Sequence, residues 1–549
     1  MIDLKAAPFY LKDNDLRWVE ETISSMTMEE KVGQLFCPIG VCYDEEYLLD
    51  LTKRLRVGGL LFRAGPSAEI QKAHRFLQEN STIPLLLAAN VETGGDGIAE
   101  DGTGVGEQMN IAAAGDVELA YAHGRVAARE GAAVGLNWAF GPIVDIDLNY
   151  RNPITNVRTF GSAPETVRRM GLAVHRGLTE NGLASCAKHF PGDGVDDRDQ
   201  HLLTSVNSLS REEWDNTYGE IYRNMIDADV LSVMAGHIRL PAYQTDELPA
   251  TLSKELLQGL LRKKLGFNGL VITDATPMVG FCAAMERRRA VPYAIEAGCD
   301  MFLFNKDVEE DFQYMREGIE NGILSEKRLH EALTRILGMK AAMGLHRKKE
   351  LVPGDEMLAV VACEEHRAIA RACADRSVTL VRDKAGHLPI SPEKHRRVLL
   401  EVLGGFPSGE RIRGKLEERL TGEGFRVTHY IPETFETLDC SVERFRENYD
   451  LVLYIGNIEN VSNKTVGRIE WHTFFGNGNN TPWFVHEVPT VFVGVGNPYL
   501  LQDVPMIPTF VNAYFNSDLY LDAVVDKLLG RSAFRGTSPV DPFCGRDDL

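Results

Sequence analysis

Short apolar runs alternate with amphipathic stretches over about the first 345 residues of this 549-residue chain. Four runs, at 59–62, 84–88, 269–272 and 301–304, have the length and apolar content of strands buried on both faces. Before the third run, Ser253 suits the N-cap of a helix over 254–264, and Gly266 suits its end. The alternation predicts an α/β fold. Its repetition over about 330 residues favours an N-terminal (β/α)8 TIM-like barrel over a doubly wound sheet.

A polar stretch separates this region from a second one of the same class. Residues 346–372 include charged residues at 347–350 and Pro353-Gly354, and we interpret them as a linker between a barrel over 1–345 and a domain over 373–549. Strands predicted at 377–381, 398–403, 425–430, 451–455 and 491–495, with a helix at 519–529, indicate a smaller α/β sandwich.

Composition limits the classes of partner. Apolar residues make up 44% and charged residues 25% of the chain, as in ordinary globular proteins, and no apolar run approaches the roughly 18 residues of a membrane helix. A formal net charge of -20, with scattered lysine and arginine, argues against nucleic acid as a partner. The first residues lack the pattern of a secretory signal, and nine cysteines without CxxC spacing fit reduced thiols. We therefore expect a cytoplasmic location.

The densest group of ionisable residues lies between Lys188 and His201. These fourteen residues include two histidines, one lysine and four aspartates, and glycine and proline interrupt any regular element. Catalytic groups concentrate on such loops, and the apolar residues at 183–187 predict a buried strand leading into this one. Asp199, two residues before His201, suits a carboxylate that orients a proton-transferring imidazole. The segment is interpreted as a catalytic loop.

Two further polar residues are predicted at barrel strand ends, which form the active site in such barrels. Arg158 follows Asn152-Pro153, and Asp274 follows the apolar run directly. The residue type alone leaves a helix N-cap as an equal interpretation of Asp274.

Local sequence also leaves alternatives for the loop. An alternative for His201, Lys188 and His189 is that they are loop residues whose side chains are satisfied by neighbouring aspartates. The aspartates of 193–199 also include enough oxygen ligands for a metal, but neither EF-hand nor HExxH spacing is present, so no metal is predicted. The glycines at 102, 104 and 106 lack GxGxxG spacing, and neither GxSxG nor a Walker A motif occurs, so no cofactor is predicted.

Motifs along nearly the whole chain resemble glycoside hydrolase family 3, in particular its β-N-acetylglucosaminidase branch. The matching segments are MTMEEKVGQL at 26–35, NP at 152–153 with RTFG at 158–161, the 188–201 loop, PATLS at 249–253, GFNGLVITD at 266–274, and segments at 374–381, 496–499 and 536–540. The branch pattern KHFPGHG followed by D-S-H stands here as KHFPGDG followed by Asp199-Gln200-His201, with its spacing intact.

The resemblance implies a retaining exo-glycosidase that releases terminal β-linked N-acetylhexosamine through a covalent glycosyl-aspartate intermediate. It assigns the nucleophile to Asp274, the general acid/base to His201, and the orienting carboxylate to Asp199. A retaining glycosidase needs one group that attacks the anomeric carbon and another that protonates the departing oxygen. Histidine titrates near neutrality and suits the second role. The resemblance also implies that Lys188, His189 and Arg158 bind sugar hydroxyls.

Departures from the family pattern bear on the substrate. The family's DQEGG segment stands here as NVETG at 90–94. The Asn90 amide therefore replaces a carboxylate that binds sugar in relatives. Asp193 replaces the second histidine of KHFPGHG, and Asp274-Ala275 replaces a paired aspartate. Arg63 is expected to reach an acidic substituent, such as the lactyl group of a cell-wall muramic acid, although a surface salt bridge explains it equally well.

Three rival functions remain at this point. One is a β-glucosidase of the same family, with an acid/base glutamate in the second domain, for which Glu470 is the candidate. Another is a phosphorylase, because a histidine acid/base repels an incoming anion less than a carboxylate does. The third is a sugar-binding relative without turnover, suggested by Asn90 and Asp193.

Overall fold

The computed structural model describes residues 2–405, 408–430, 441–459, 461–471, 473–474, 477–478 and 480–546. Contacts divide the chain into two compact units. The first contains Met1–Gly104, Val117–Asn152 and Pro164–Arg367, and the second contains Val105–Asp116, Pro153–Ala163 and Ala368–Leu549.

Two segments of the second unit come from within the first 345 residues. The Asn110 amide donates to the Ala513 carbonyl oxygen at 2.7 Å, and the Asn156 amide donates to the Asn497 side-chain oxygen at 3.2 Å. These buried bonds join the segments to residues far along the chain. The contacts thus assign 105–116 and 153–163 to the second unit, whereas the sequence placed them in the barrel. The domain bounds 1–345, 346–372 and 373–549 stay a prediction.

The first unit is built on eight parallel strands of the described chain. They are β1 (Phe36–Cys37), β2 (Gly59–Leu61), β3 (Leu86–Ala89), β4 (Trp138–Ala139), β5 (Ala184–Phe190), β6 (Ser232–Ala235), β7 (Leu270–Thr273) and β8 (Phe302–Leu303). Strands β2 to β7 pair in chain order, and β1 pairs with β8. Parallel bridges join Ile39 to Leu61 and Ile272 to Met301, which closes the ring. This confirms the predicted α/β fold with a TIM-like barrel.

Helices connect and surround these strands. Their bounds are Asp13–Ser25, Met28–Gln34, Glu45–Leu49, Asp50–Arg54, Ser67–Glu79, Gly95–Gly97, Val117–Ala133, Pro164–Thr179, Arg211–Asn216, Tyr218–Asp227, Ala250–Leu252, Glu255–Lys264, Val279–Cys282, Arg287–Ala297, Val308–Glu320, Glu326–Ala342, Leu345–Arg347 and Asp355–Val360. A short parallel pair joins Ser205–Val206 to Ile238–Arg239. Glu255–Lys264 is a π-helix that overlaps the predicted helix, and the Ser253 hydroxyl accepts from the Leu256 N–H in its first turn at 3.3 Å.

Glycines allow two helices of the first unit to pack closely. A Cβ atom on Gly124 would lie 2.4 Å from the Val174 carbonyl oxygen, and one on Gly177 would lie 2.2 Å from that of Tyr121. Only glycine allows the helices Val117–Ala133 and Pro164–Thr179 to approach this closely.

The second unit contains a six-stranded sheet. Its strands are β9 (Thr379–Asp383), β10 (Arg397–Leu403), β11 (Arg426–His429), β12 (Leu451–Gly456), β13 (Thr490–Gly494) and β14 (Thr509–Asn512), in the order β9-β14-β13-β12-β10-β11. Only the β9–β14 pairing in this sheet is antiparallel.

Helices and buried side chains cover both faces of this sheet. The remaining helices are Gln108–Ala114, Asn156–Arg158, Glu364–Ser377, Ser408–Gly422, Val442–Asn448, Leu500–Asp503 and Asp518–Leu528, and Thr473–Phe474 pairs antiparallel with Asn477–Gly478. On β10, Val398 and Leu400 pack into one apolar core and Leu399 and Leu403 into the other. This alternation is typical of a strand buried on both faces, as in the predicted α/β sandwich. Within the described ranges, every helix is too short or too polar to span a lipid bilayer.

Candidate active site

The carboxyl ends of the barrel strands carry a group of polar side chains. Asn90 follows β3, and Lys188 and His189 lie near the end of β5. His237 comes after β6, and Asp274 directly follows β7. Because the strands are parallel, their carboxyl ends lie at one edge of the barrel, where such folds place their reacting groups.

Asp274 is held in place by hydrogen bonds to backbone groups of other residues. Its N–H donates to the Ala235 carbonyl oxygen at 2.8 Å, and its Oδ1 accepts from the Ala275 N–H at 2.7 Å. The next helix, Val279–Cys282, begins after Met278 as its cap residue, so Asp274 is not a helix N-cap.

The electrostatic surroundings of Asp274 favour its charged form. Burial alone would raise the pKa of this carboxyl, but three nearby imidazoles outweigh it and hold that pKa below its usual range. These imidazoles belong to His189, His237 and His201. The structure therefore brings the loop histidine and the strand-end carboxylate into one electrostatic group, with the carboxylate ionised.

His201 and Asp199 form a close pair. The His201 Nδ1 lies 2.6 Å from Asp199 Oδ1, which also accepts from the His201 backbone N–H at 2.9 Å. The Asp199 side chain is fully buried, whereas a quarter of the His201 side chain is exposed. The buried carboxylate fixes the ring through Nδ1, and Nε2 is the ring nitrogen that this contact does not use.

Lys188 is buried between two residues of the segment after β3. Its Nζ donates to Glu92 Oε1 at 2.6 Å and to Asn90 Oδ1 at 3.0 Å. Only 2% of the Lys188 side chain is exposed, so the ion pair with Glu92 supplies the compensating charge that a buried ammonium requires. Sequence reasoning predicted Lys188 and Asn90 here, but it assigned no role to Glu92.

His189 is oriented by Asp145, which the sequence analysis missed. Asp145 Oδ2 lies 2.7 Å from His189 Nδ1, and Asp145 Oδ1 accepts from the His189 N–H at 3.1 Å. The opposite ring nitrogen, Nε2, lies 3.9 Å from Asp274 Oδ2. Asp145 follows the apolar pair Ile143-Val144, the same signal of a carboxylate after an apolar run that identified Asp274.

The two predicted arginines lie at different kinds of element. Arg63 is exposed two residues after β2, at the same edge of the barrel as the other strand ends. The structure differs from the prediction for Arg158, which is in the turn Asn156–Arg158 of the second unit and does not end a barrel strand. There its carbonyl oxygen accepts from the Gln108 side chain at 2.9 Å, because residues 153–163 pack with that unit. Sugar binding by either arginine stays a prediction.

Comparison with known proteins supplies the family. The model of the glycosyl hydrolase family 3 N-terminal domain matches residues 27–339. Over the full length of both chains, this protein is 47% identical to a β-N-acetylglucosaminidase/β-glucosidase of Cellulomonas fimi. It is 30% identical to a β-hexosaminidase of Neisseria meningitidis serogroup B, across 54% of this chain and 77% of that one.

Solved structures agree with this likeness. The β-glucoside phosphorylase BglX bound to 2FGlc matches with a TM-score of 0.94 and 41% identity, across 99% of each chain. A family 3 β-N-acetylglucosaminidase from Paenibacillus sp. str. FPU-7 matches with a TM-score of 0.81 and 25% identity, across 94% of this chain and 99% of that one. The matches confirm the resemblance found in the sequence, and this chain belongs to glycosyl hydrolase family 3.

Proposed function

We propose that this family 3 enzyme is a retaining exo-glycosidase that removes terminal β-linked N-acetylhexosamine, with β-glucosides as a second class of substrate. The observation that carries the proposal is the electrostatic group of Asp274 and His201, in which Asp199 holds the imidazole at 2.6 Å. A buried ionised carboxylate and an oriented proton carrier are the two groups that double displacement requires.

In the first step, the Asp274 carboxylate attacks the anomeric carbon while His201 Nε2 gives a proton to the departing oxygen. The lowered pKa of Asp274 supports this role, because a nucleophilic carboxylate must be charged when the glycosidic bond breaks. The product of the step is a glycosyl-aspartate ester and a free aglycone.

In the second step, His201 takes a proton from water as the water attacks the ester, which restores Asp274. The negative charge of Asp199 stabilises the imidazolium that precedes the first transfer and follows the second. One histidine therefore acts as acid and then as base, as microscopic reversibility requires.

Residues around Asp274 supply the proposed sugar site. Lys188 and His189 are fixed by Glu92 and Asp145, so the Lys188 ammonium group and His189 Nε2 meet sugar hydroxyls without first losing side-chain freedom. The Cellulomonas relative is named for both N-acetylglucosaminide and glucoside cleavage, which supports two sugar classes for this chain.

A panel of nitrophenyl glycosides tests the sugar preference. We expect turnover of the β-N-acetylglucosaminide and the β-glucoside, with the anomeric configuration retained in the released sugar. Inversion of that configuration, or sugar-dependent thermal stabilisation with no product from any glycoside, would reject the proposal.

Phosphate is a second candidate acceptor for the glycosyl-aspartate. A similar solved structure is described as a β-glucoside phosphorylase, and the acid/base proposed here is neutral when it is deprotonated, so it repels a phosphate anion less than a carboxylate does. Attack by a phosphate oxygen on the anomeric carbon would expel Asp274 and give a sugar 1-phosphate. Titrating phosphate into the aryl glycoside assay distinguishes the two acceptors, because only phosphorolysis gives a sugar 1-phosphate that increases with phosphate concentration.

A further inference from the structure

The loop that carries His201 is buried at its two ends and exposed at its tip. Asp193 and Gln200 are 3% and 2% exposed, whereas Asp197 and Arg198 point into solvent. Backbone hydrogen bonds attach the far end of the loop, from the Val279 N–H to the His201 carbonyl oxygen at 3.0 Å and from the Gly280 N–H to that of Gln200 at 3.2 Å. A buried carboxylate and a buried amide also need hydrogen-bond partners, so their side-chain contacts add a second attachment.

Asp193 accepts three hydrogen bonds. Its Oδ1 accepts from the Gly194 N–H at 2.7 Å and from the Asn152 amide at 3.3 Å. Its Oδ2 accepts from Gln200 Nε2 at 3.1 Å. The carboxylate thus joins the start of the loop to the residue that separates Asp199 from His201.

Gln200 has a fixed amide orientation. Its Nε2 donates to Asp193, and its Oε1 accepts from the His237 N–H at 2.8 Å. A flipped amide would place an NH2 group against the His237 N–H and an oxygen against the Asp193 carboxylate, so only one orientation satisfies both neighbours.

His237 extends this connection to the segment of the nucleophile. Its Nε2 donates to the carbonyl oxygen of Ala275 at 3.0 Å, immediately after Asp274. The Gln200 side chain therefore links the backbone between Asp199 and His201 to the backbone beside Asp274.

Both partners of this contact depart from the family pattern. Asp193 stands at the second histidine of KHFPGHG, and Gln200 stands at the serine of D-S-H. These two departures from the pattern form a hydrogen bond with each other.

We propose that Asp193 and Gln200 are positioning residues, a clip that holds the His201 imidazole in register with Asp274. The inference rests on the proposed function, because it assigns the clip a role in proton transfer by His201. Without the clip, the backbone hydrogen bond from Val279 would still hold the His201 main chain, but the imidazole would sample orientations in which Nε2 cannot reach the departing oxygen. Such misplacement costs up to about 100-fold in rate.

Exchanging the two functional groups tests the clip. In Asp193→Asn, the side-chain oxygen keeps Gly194 and Asn152, and the new NH2 faces the NH2 of Gln200. In Gln200→Glu, two carboxyl groups face each other. The double variant D193N/Q200E restores every contact, because the new amide at position 193 donates to the new carboxylate at position 200, which still accepts from His237.

The readout is kcat on glycosides whose leaving groups do or do not need a proton. It is measured above the pKa of Asp193, which burial raises to about 7, so that this side chain is ionised. We expect each single variant to lose about 10- to 100-fold on an alkyl glycoside and less than about threefold on a dinitrophenyl glycoside. The double variant should return to within about threefold of the unaltered enzyme on both. Asp197→Asn makes the same chemical change at the exposed tip of the loop and should leave all values unchanged.

Three results would each overturn the clip. The losses of the single variants could add in the double variant, they could be equal on the two glycosides, or Asp197→Asn could show a similar loss. A single variant that fails to fold supports it if the double variant folds, and contradicts it if the double variant fails too.

Hydrogen–deuterium exchange of the peptide 191–203 separates this inference from the proposed function. Exchange should speed up in both single variants and return to normal in the double variant, whether or not any glycoside is turned over. Absence of turnover in the unaltered enzyme would reject the proposed function, and with it the catalytic role of the clip. Unchanged exchange in the single variants would reject the clip in an active enzyme.

Discussion

Replacing Asp145 tests whether one buried carboxylate organises the site. Its two oxygens accept from the His189 ring at 2.7 Å, the His189 N–H at 3.1 Å and the Asp193 N–H at 2.8 Å. Asp145 is 1% exposed, so water does not replace it without rearrangement. Asp145→Ala removes all three acceptors, whereas Asp145→Asn keeps an oxygen for the two backbone donors.

The structure gives the size of each effect. A buried donor without an acceptor costs about 1–3 kcal/mol, so three of them lower the stability of β5 by roughly 3–9 kcal/mol in Asp145→Ala. In Asp145→Asn, one charge-assisted hydrogen bond becomes a neutral one, a loss of about 1–2 kcal/mol. The new amide donates to His189 Nδ1, so the ring proton moves to Nε2, which faces Asp274. His189 Nε2 then donates a hydrogen bond to the substrate where it accepted one before, and we expect kcat/KM to fall about tenfold.

The assay combines kcat/KM on a nitrophenyl glycoside with native-state hydrogen exchange of the peptide 184–190, which reports local opening. Asp227→Asn, at an exposed helix end of the same unit, is the control and should change neither quantity. If Asp145→Ala changed the opening free energy by less than about 1 kcal/mol, or if the Asn variant were as damaged as the Ala variant, the hydrogen-bond argument would be refuted.

Four other sets of changes probe the site and its surroundings. Asp274→Ala should abolish turnover of every glycoside. His201→Ala should lose about 100-fold or more in kcat on alkyl glycosides and far less on dinitrophenyl glycosides, whose leaving groups need no proton. Equal losses across a series of leaving groups would argue against His201 as the acid. Burial, helped by neighbouring carboxylates, raises the pKa of Asp193 from 3.8 to about 7, so the folded state keeps a proton that the unfolded chain loses. Stability should therefore fall by up to a few kcal/mol between about pH 4 and pH 7, and Asp193→Asn should flatten that slope in thermal unfolding followed across this range. Asn90→Asp should raise kcat/KM about fivefold through charge-assisted hydrogen bonds to sugar hydroxyls, and the gain should vanish on deoxygenated sugars. Arg63→Gln should lower kcat/KM by up to about fivefold for a disaccharide with a lactyl carboxylate and leave a neutral disaccharide unaffected, because an exposed ion pair contributes about 0.2–1 kcal/mol.

Local sequence was sufficient where the signal is local. The apolar runs at 59–62, 84–88, 269–272 and 301–304 overlap β2, β3, β7 and β8, because a strand buried on both faces needs consecutive apolar residues. The pairing of Asp199 with His201 was predictable for the same reason, since two residues on one loop are close in any fold. Asp274 was predicted at a strand end from the apolar run before it.

Other contacts of the site depend on residues that are distant in the chain. Lys188 meets Glu92 across 96 positions, and His189 meets Asp145 across 44. Periodicity and turn signals carry no information about such partners, and closure of the parallel strands into a ring brings them together at one edge. The same holds for segments 105–116 and 153–163, which hydrogen bonds to Ala513 and Asn497 assign to the second unit. The sequence by itself therefore determined the buried strands, the polar loop at 188–201 and the family, because these depend on neighbouring residues. Only the tertiary structure decided that Glu92 neutralises Lys188 and that Asp145 orients His189, because these pairings depend on how distant strand ends meet.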